Sequence, residues 1–168
     1  MAPHARGSRA IAAPEPIALR AGGANDRAFV LDLGRRTAID SVSATRDAPL
    51  AMVEFSYERL VDFVFDRSYV LVIAENALEG PRGFLMMLDD MPDEVSGLPQ
   101  GFVAYMAVEP DARRQGVAKR LLAAAEDAAR VRGLPFMALM VTEENAAARE
   151  LYAQAGYATE RRLLCKPL

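Results

Sequence analysis

A short basic turn ahead of an amphipathic segment is the first feature of this sequence that could bind a ligand. Arg113 and Arg114 precede Gly116, and a strongly helix-forming run follows as far as Arg132. The start of this predicted helix has no aspartate or serine to cap its N–H groups, which form the positive end of the helix dipole. An anion such as a phosphate can take the place of that cap. The alternative is that Gly116 only relaxes a turn and the arginines face water.

An amide and a phenol share one face of a second predicted helix. Asn145 is the predicted N-cap of "NAAARELYAQAG", and Tyr152 follows seven residues later, two turns along the same face. Each side chain also has an ordinary interpretation, Asn145 as a cap and Tyr152 as a half-buried aromatic. Their spacing on one helix face and their place beside the turn proposed to hold a phosphate favour a shared site.

The composition excludes several other kinds of site. The one histidine, His4, lies in a segment expected to be a disordered tail (1–14), so the folded part has neither a zinc site nor a Ser-His-Asp triad. The single cysteine, Cys165, excludes an internal disulfide. The net charge of −3 and the scattered basic residues argue against a nucleic-acid partner. No run is apolar enough for a membrane span or a signal peptide, so we expect a cytoplasmic protein without a metal, with organelle targeting as the alternative for the tail.

Alternating helices and strands must position these residues, and we predict a single α/β domain over 15–168. Strands are predicted at 16–20, 68–75, 83–90, 101–110, 135–142 and 161–168, the last being "RRLLCKPL". Helices are predicted at 25–42, 56–66, 116–132 and 145–156. Asn25 is the predicted N-cap of the first helix, and Gly34 is a possible break within it.

The connections predict a mixed sheet. Short connections make the strands at 68–75, 83–90 and 101–110 an antiparallel meander. The strands at 101–110 and 135–142 are joined through a helix, so they are expected to be parallel with a right-handed crossover. The Gly116 turn leaves the C-terminal end of one of these two strands and Asn145 follows the other, where α/β proteins tend to bind ligands.

These motifs resemble the GNAT N-acetyltransferases, which transfer an acetyl group from acetyl-CoA to an amine. Arg113 to Ala118 is similar to the family's (Arg/Gln)-x-x-Gly-x-(Gly/Ala), with "Val-x-Pro" before it at Val108 to Pro110. Asn145 to Tyr157 is similar to Asn-x-x-Ala-x-x-Leu-Tyr-x-x-x-Gly-(Phe/Tyr). The resemblance extends over residues 15–168. It implies the GNAT fold, in which the parallel pair splays apart and about four helices flank the sheet.

The resemblance also implies roles for particular residues. The backbone N–H groups of Arg114, Gln115, Gly116, Val117 and Ala118 would bind the pyrophosphate of coenzyme A, and Arg113 and Arg114 would add charge. Met106 and Val108 would offer backbone groups to the pantetheine arm, Asn145 would bond to the pantetheine region, and Tyr152 would be the catalytic acid near the thioester sulfur. Direct transfer is expected, because Cys165 has no histidine to activate it for a ping-pong route.

The sequence departs from the family pattern at two points. The glutamate that often serves as general base is absent, since Phe102 and Met140 stand at its usual positions. The proton that the acceptor amine loses could go through water to a carboxylate or could pass by way of Tyr105. Alternatively, the acceptor could arrive already neutral. The carboxylates considered are Glu75, Asp89, Asp90, Glu143 and Glu144.

The second departure is a final hairpin shortened to one main strand, which leaves the acceptor and the oligomeric state open. The acceptor could be a small-molecule amine or an amine of a peptide or protein. The leading hypothesis is an acetyl-CoA-dependent N-acetyltransferase. The alternative is a GNAT-fold module that senses acyl-CoA without turnover, and the missing base favours that alternative slightly.

Overall fold

The computed structural model describes residues 16–168, which contain five strands and four α-helices. Their order is β1 (Ile17–Ala21), α1 (Arg27–Thr37), α2 (Leu50–Phe65), β2 (Tyr69–Asn76), β3 (Gly80–Leu88), β4 (Gly101–Val108), α3 (Val117–Val131), β5 (Met137–Leu139) and α4 (Ala146–Gln154). Short 3-10 helices lie at Ala24–Asp26, Ala38–Ser41 and Pro110–Ala112. The predicted tail, residues 1–14, lies outside the described residues.

The strands form one mixed sheet in the order β1-β2-β3-β4-β5. The pairs from β1 to β4 are antiparallel, and β4 pairs with β5 in parallel through α3. The predicted α/β class, the antiparallel meander followed by a parallel pair, and the four flanking helices are thereby confirmed. Within 16–168, no helix is long and apolar enough to cross a bilayer.

Both faces of the sheet are covered by helices, as the apolar run of β3 requires. Phe84, Met86 and Leu88 of β3 pack on one face with residues of α1 and α2. Leu85 and Met87 pack on the other face with residues of α3. All five side chains are almost completely buried, so the middle of the sheet is a rigid support for the ends of β4 and β5.

The parallel pair separates after three residues. β4 pairs with β5 only from Gly101 to Val103. The register between β3 and β4 shifts at the same point, because Met87 pairs with Val103 and Met86 pairs with Tyr105. Ala104 is therefore the extra residue of a β-bulge, which bends the strand that carries it. From Tyr105 to Val108, β4 has a hydrogen-bonding neighbour on the β3 side alone, and we call the space beside it the gap.

The end of the chain differs from the sequence prediction. The strand predicted at 161–168 is wrong, since residues 157–168 contain no strand and are mostly exposed. The strand predicted at 135–142 is reduced to the three residues of β5. Both differences have one cause: β-propensity produces a strand only where another strand can pair with it, and β4 bends away after Val103.

The first helix also differs in detail. Asn25 is not its N-cap but lies within the 3-10 helix Ala24–Asp26, where the N–H of Gly23 donates to Asp26. Gly34 does not break α1 but is buried within it. A Cβ atom at Gly34 would lie 1.9 Å from the Tyr57 ring, so glycine is required there for the close approach of α2.

Candidate functional site

The turn before α3 has the backbone shape of an anion site. Arg114 has φ 59° and Gly116 has φ 77°, both left-handed, and turns with such residues direct successive N–H groups into a concavity. α3 begins after Gly116 without a side-chain cap. Within 16–168, no acceptor bonds the N–H groups of Gly116, Val117 or Ala118. The helix start is therefore uncapped by the described part of the chain.

Only some of the basic side chains around this turn have a hydrogen-bond or ion-pair partner. Gln115 holds the turn, because its Nε2 donates to the carbonyl oxygen of Asp111 at 2.9 Å. Arg114 and Lys119 form no ion pair with any described carboxylate. Arg113, which the resemblance implies adds charge at the turn, donates from its Nε to the Val108 carbonyl at 3.1 Å. Its guanidinium therefore folds back over the end of β4.

The open edge of β4 offers backbone groups in the gap. The N–H of Glu109 donates to the Arg82 carbonyl, so the backbone of Glu109 faces β3. Successive residues of a strand direct their backbone groups to alternate edges, and Val108 and Met106 therefore face the gap. The Val108 carbonyl is the group that Arg113 covers. Met106 has an open backbone edge that an extended ligand could pair with.

Asn145 stands at the start of α4, and Tyr152, within α4, lies on the α3 side of the sheet. Asn145 caps α4, since the N–H of Ala148 donates to its Oδ1 at 3.1 Å, and the amide N–H₂ of Asn145 remains for another acceptor. Tyr152 packs with the α3 cluster, its ring 6.0 Å from that of Tyr157. Burial raises the pKa of the Tyr152 phenol, so it keeps its proton at neutral pH.

A second phenol lies on the other face of the sheet at the gap. The Tyr105 hydroxyl is 3.2 Å from Thr37 Oγ1, at the end of α1. Burial raises the pKa of Tyr105, and the nearby Asp40 carboxylate raises it further, whereas hydrogen bonds with the Thr37 and Ser41 side chains lower it. The net direction is upward, so this phenol is also neutral at neutral pH.

The connection between α1 and α2 reaches across to the connection between β5 and α4. The Thr142 hydroxyl donates to the Ser41 carbonyl oxygen. Glu144 accepts hydrogen bonds from the Ser43 hydroxyl at 2.9 Å and from the Ala44 N–H at 3.2 Å. These contacts tie the start of α4 to the connection that follows α1.

Each of the five carboxylates considered as a general base forms an ion pair or a hydrogen bond. Glu75 pairs with Arg20, Asp89 with Arg132, Asp90 with Arg67, Glu143 with Arg149, and Glu144 with Ser43 and Ala44. Asp89 and Asp90 follow β3 at the paired end of β4, away from the gap. Hydrogen bonds, of which those to the backbone N–H of Glu144 itself and to Ser43 are the strongest, lower the pKa of Glu144. Cys165 is exposed.

The sequence did not single out Asp40, Thr37 or Ser41. The Asp40 side chain is 61% exposed, and its carboxylate lies 3.9 Å from the Arg113 guanidinium. All three residues fall at the end of a helix that had no motif. The only signal was that a polar stretch, "TAIDSVS", interrupts the apolar stripe between two helices. Within 16–168, no cluster of three or more His, Cys, Asp or Glu side chains could hold a metal.

The fold and the split parallel pair are those of the GNAT acetyltransferases. The family model described as the acetyltransferase (GNAT) family matches residues 40–157, which is more than half of the chain. This chain therefore belongs to the GNAT acetyltransferase family. The match begins at Asp40 and includes the Gly116 turn, Asn145 and Tyr152.

Solved structures have the same fold at low sequence identity. A Pyrococcus furiosus protein provisionally described as an acetyl transferase is 21% identical with a TM-score of 0.79, over 91% of this chain and 100% of the other. The ribosomal-protein-alanine N-acetyltransferase of Brucella melitensis biovar Abortus is 23% identical with a TM-score of 0.66, over 90% and 99%. An aminoglycoside N-acetyltransferase in complex with CoA is 17% identical with a TM-score of 0.67, over 94% and 98%. No curated protein matches the sequence.

Proposed function

We propose that this protein is an acetyl-CoA-dependent N-acetyltransferase that transfers the acetyl group directly to a primary amine. The observation that carries the proposal is the uncapped, left-handed turn at Gly116 directly after the open edge of β4. One anion site and one extended backbone edge, adjacent in the chain, fit a ligand with a phosphate group and an amide-containing arm. Coenzyme A has both.

The cofactor groups are assigned residue by residue. The pyrophosphate accepts from the N–H groups of the turn, namely those of Arg114, Gln115, Gly116, Val117 and Ala118. The arm pairs with Met106 and Val108, and the Asn145 amide donates to it from the other side of the gap. Arg113 must release the Val108 carbonyl for the arm to bond there, and a phosphate at the turn would attract its guanidinium.

Tyr152 is assigned as the general acid. In direct transfer, the amine nitrogen bonds to the acetyl carbon, the carbon–sulfur bond breaks, and the nitrogen loses one proton to water. The thiolate takes the phenol proton of Tyr152, which solvent then replaces. Burial raises the pKa of Tyr152, so the phenol carries at neutral pH the proton that this role needs. No covalent acetyl-cysteine is required, since Cys165 is exposed and the only histidine in the sequence is His4.

The acceptor is assigned only as a primary amine. Two structural neighbours are described as acting on different amines, one on a ribosomal protein and one on aminoglycosides. At 23% and 17% identity they share the fold, and their acceptors do not transfer to this chain.

The test combines binding with turnover. Calorimetry measures acetyl-CoA affinity, and free-thiol release is followed with a lysine peptide, an alanyl peptide, a polyamine and an aminoglycoside. Binding with amine-dependent thiol release supports the enzyme. Binding without thiol release for any amine supports the sensor alternative, which the commitment of all five carboxylates favours. Absence of binding overturns the cofactor assignment.

A further inference from the structure

The Arg113 side chain covers a backbone acceptor at the open edge of β4. Its Nε donates to the Val108 carbonyl oxygen at 3.1 Å, and the pairing of β4 with β5 ends at Val103. An extended arm that joins this edge like an added strand needs backbone groups that are free to bond. Arg113 and such an arm therefore compete for the same oxygen atom.

Two contacts hold the Arg113 guanidinium in this position, and neither is strong. The hydrogen bond to Val108 uses a neutral acceptor. The Asp40 carboxylate lies 3.9 Å away, at the limit of an ion pair, and the side chains of Arg113 and Asp40 are 46% and 61% exposed. Exposed ion pairs contribute little free energy, so a charged acceptor with better geometry can draw the guanidinium away from β4.

The carboxylates nearest to Arg113 in the sequence are paired with other arginines. Glu109 pairs with Arg36 at 2.7 Å, and Asp111 pairs with Arg82. A guanidinium has several N–H donors, and the Nε of Arg113 accounts for only one of them. The remaining donors of Arg113 are therefore available to an anion.

The turn at Gly116 is the place to which the Arg113 guanidinium can move. Within 16–168, no acceptor bonds the N–H groups of Gly116, Val117 or Ala118, and Arg113 stands three residues before Gly116. A phosphate bonded to these N–H groups would be within reach of an arginine side chain so close in the chain. Because a guanidinium binds a phosphate through two parallel, charge-assisted hydrogen bonds, such a phosphate is a stronger acceptor than the Val108 carbonyl.

We propose that Arg113 is a specificity-determining residue for the acyl donor: it covers the Val108 carbonyl until a phosphate of the donor draws its guanidinium to the Gly116 turn. Thioesters that carry a phosphate next to pantetheine, as CoA thioesters do, uncover the oxygen as they bind. Thioesters of pantetheine alone leave it covered, so they lose the Val108 contact as well as the phosphate contact. This inference rests on the proposed function and deepens it by naming the donor class.

The test supplies the two halves of the donor separately. The full-length, isotope-labelled protein is titrated with pantetheine, with and without inorganic pyrophosphate, and binding is followed by NMR through the backbone amide signals of Met106 and Val108. Pyrophosphate at the turn should draw Arg113 away from Val108 and strengthen pantetheine binding about threefold to tenfold, the effect of roughly one hydrogen bond. By linkage, pantetheine should strengthen pyrophosphate binding by the same factor.

Arg113→Met removes the hydrogen-bond donor and keeps a long side chain. Pantetheine affinity should rise about threefold to tenfold without pyrophosphate, and pyrophosphate should add no further increase. CoA affinity, measured by calorimetry, should fall, because the phosphate loses its guanidinium partner. Asp40→Asn removes only the second contact of Arg113, so it should raise pantetheine affinity by about twofold or less.

Arg114→Met is the matched control. Arg114 lies in the same turn and forms no ion pair with any described carboxylate, and its loss removes the same charge without uncovering Val108. This variant should weaken CoA binding and leave pantetheine affinity unchanged. The same result in Arg113→Met, or a wild-type pantetheine affinity that pyrophosphate does not change, overturns the proposal while CoA still binds. If CoA does not bind the wild type in calorimetry, the cofactor assignment fails and this inference fails with it.

Discussion

Tyr105 and Tyr152 lie on opposite faces of the sheet. Tyr105, in β4, packs with the cluster of α1 and α2, and Tyr152, in α4, packs with the cluster of α3. Burial raises the pKa of both phenols, so both are protonated at neutral pH. The β-bulge at Ala104 lies where the pairing of β4 with β5 ends. Under the proposed function, the thiolate departs toward the Tyr152 face.

Coenzyme binding is predicted to depend on the Gly116 turn. Gly116→Glu places a negative charge where the phosphate is expected and forces a side chain into φ 77°. A Cβ there meets no atom within 4 Å, so the fold should survive. We expect calorimetry to show loss of acetyl-CoA binding, and Arg113→Glu to weaken it for the same electrostatic reason.

Gly133→Glu is the matched control for that prediction. Gly133 follows α3, has φ 70°, and also leaves open space around an added Cβ. It introduces the same charge and the same backbone strain at the other end of the same helix. Acetyl-CoA affinity should be retained in this variant. Retention of affinity in Gly116→Glu as well would remove the turn from the cofactor site.

Tyr152→Phe is predicted to reduce kcat by about 10²–10⁴-fold if proton transfer limits the rate. The ring and its packing remain, so acetyl-CoA affinity should barely change. Tyr157→Phe is the control, because its ring lies 6.0 Å away in the same cluster and its kcat should stay near that of the wild type. Near-normal kcat in Tyr152→Phe, with the chemical step shown to be rate-limiting, would reduce Tyr152 to a packing residue.

The antiparallel meander of β2, β3 and β4 and the parallel pairing of β4 with β5 could be predicted from the sequence, because connection length and helix placement decide them. The motif around Gly116 likewise predicted an uncapped helix start. The contact of Arg113 with Val108 could not be predicted, since it depends on which way one flexible side chain turns. Nor could the bulge at Ala104, because a register shift leaves no mark in "GFVAYMAV". The bulge decides how much of β4 is open and therefore how long β5 can be.

Gly34→Ala is predicted to destabilise the fold by about 1–3 kcal/mol. Alanine inside a helix normally stabilises it by roughly 0.5–1 kcal/mol relative to glycine. The sign of the measured change in stability therefore shows whether helix propensity or the clash with Tyr57 is the larger effect. The cause is the Tyr57 ring, which lies 1.9 Å from the position of the added Cβ. Chemical denaturation measures the change. Gly23→Ala, with open space around its Cβ, should change stability by no more than a few tenths of a kcal/mol, and a Gly34→Ala variant as stable as the wild type would contradict the packing of α1 on α2.

The pH dependence of kcat/KM should report the acceptor and not an enzymic base. Below its own pKa an amine is protonated and cannot attack, so kcat/KM rises with pH until the free amine predominates. That limb should lie near pH 8 for an α-amino group and near pH 10.4 for a lysine-like amine, as approximate reference values. The hydrogen bonds to Glu144 lower its pKa, so Glu144 is already ionised at neutral pH and can add no limb there.

Ionisation of the two phenols determines where kcat/KM falls at high pH. Burial raises the pKa of both Tyr152 and Tyr105, so both remain protonated while the amine loses its proton, and a fall in rate is expected only above about pH 10. Profiles measured with several amines of different pKa should therefore shift together with the amine. A fixed limb at about pH 6–7 for every amine, abolished by substitution of Glu143 or Glu144, would instead show that one of these carboxylates leaves its partner and acts as a dedicated base.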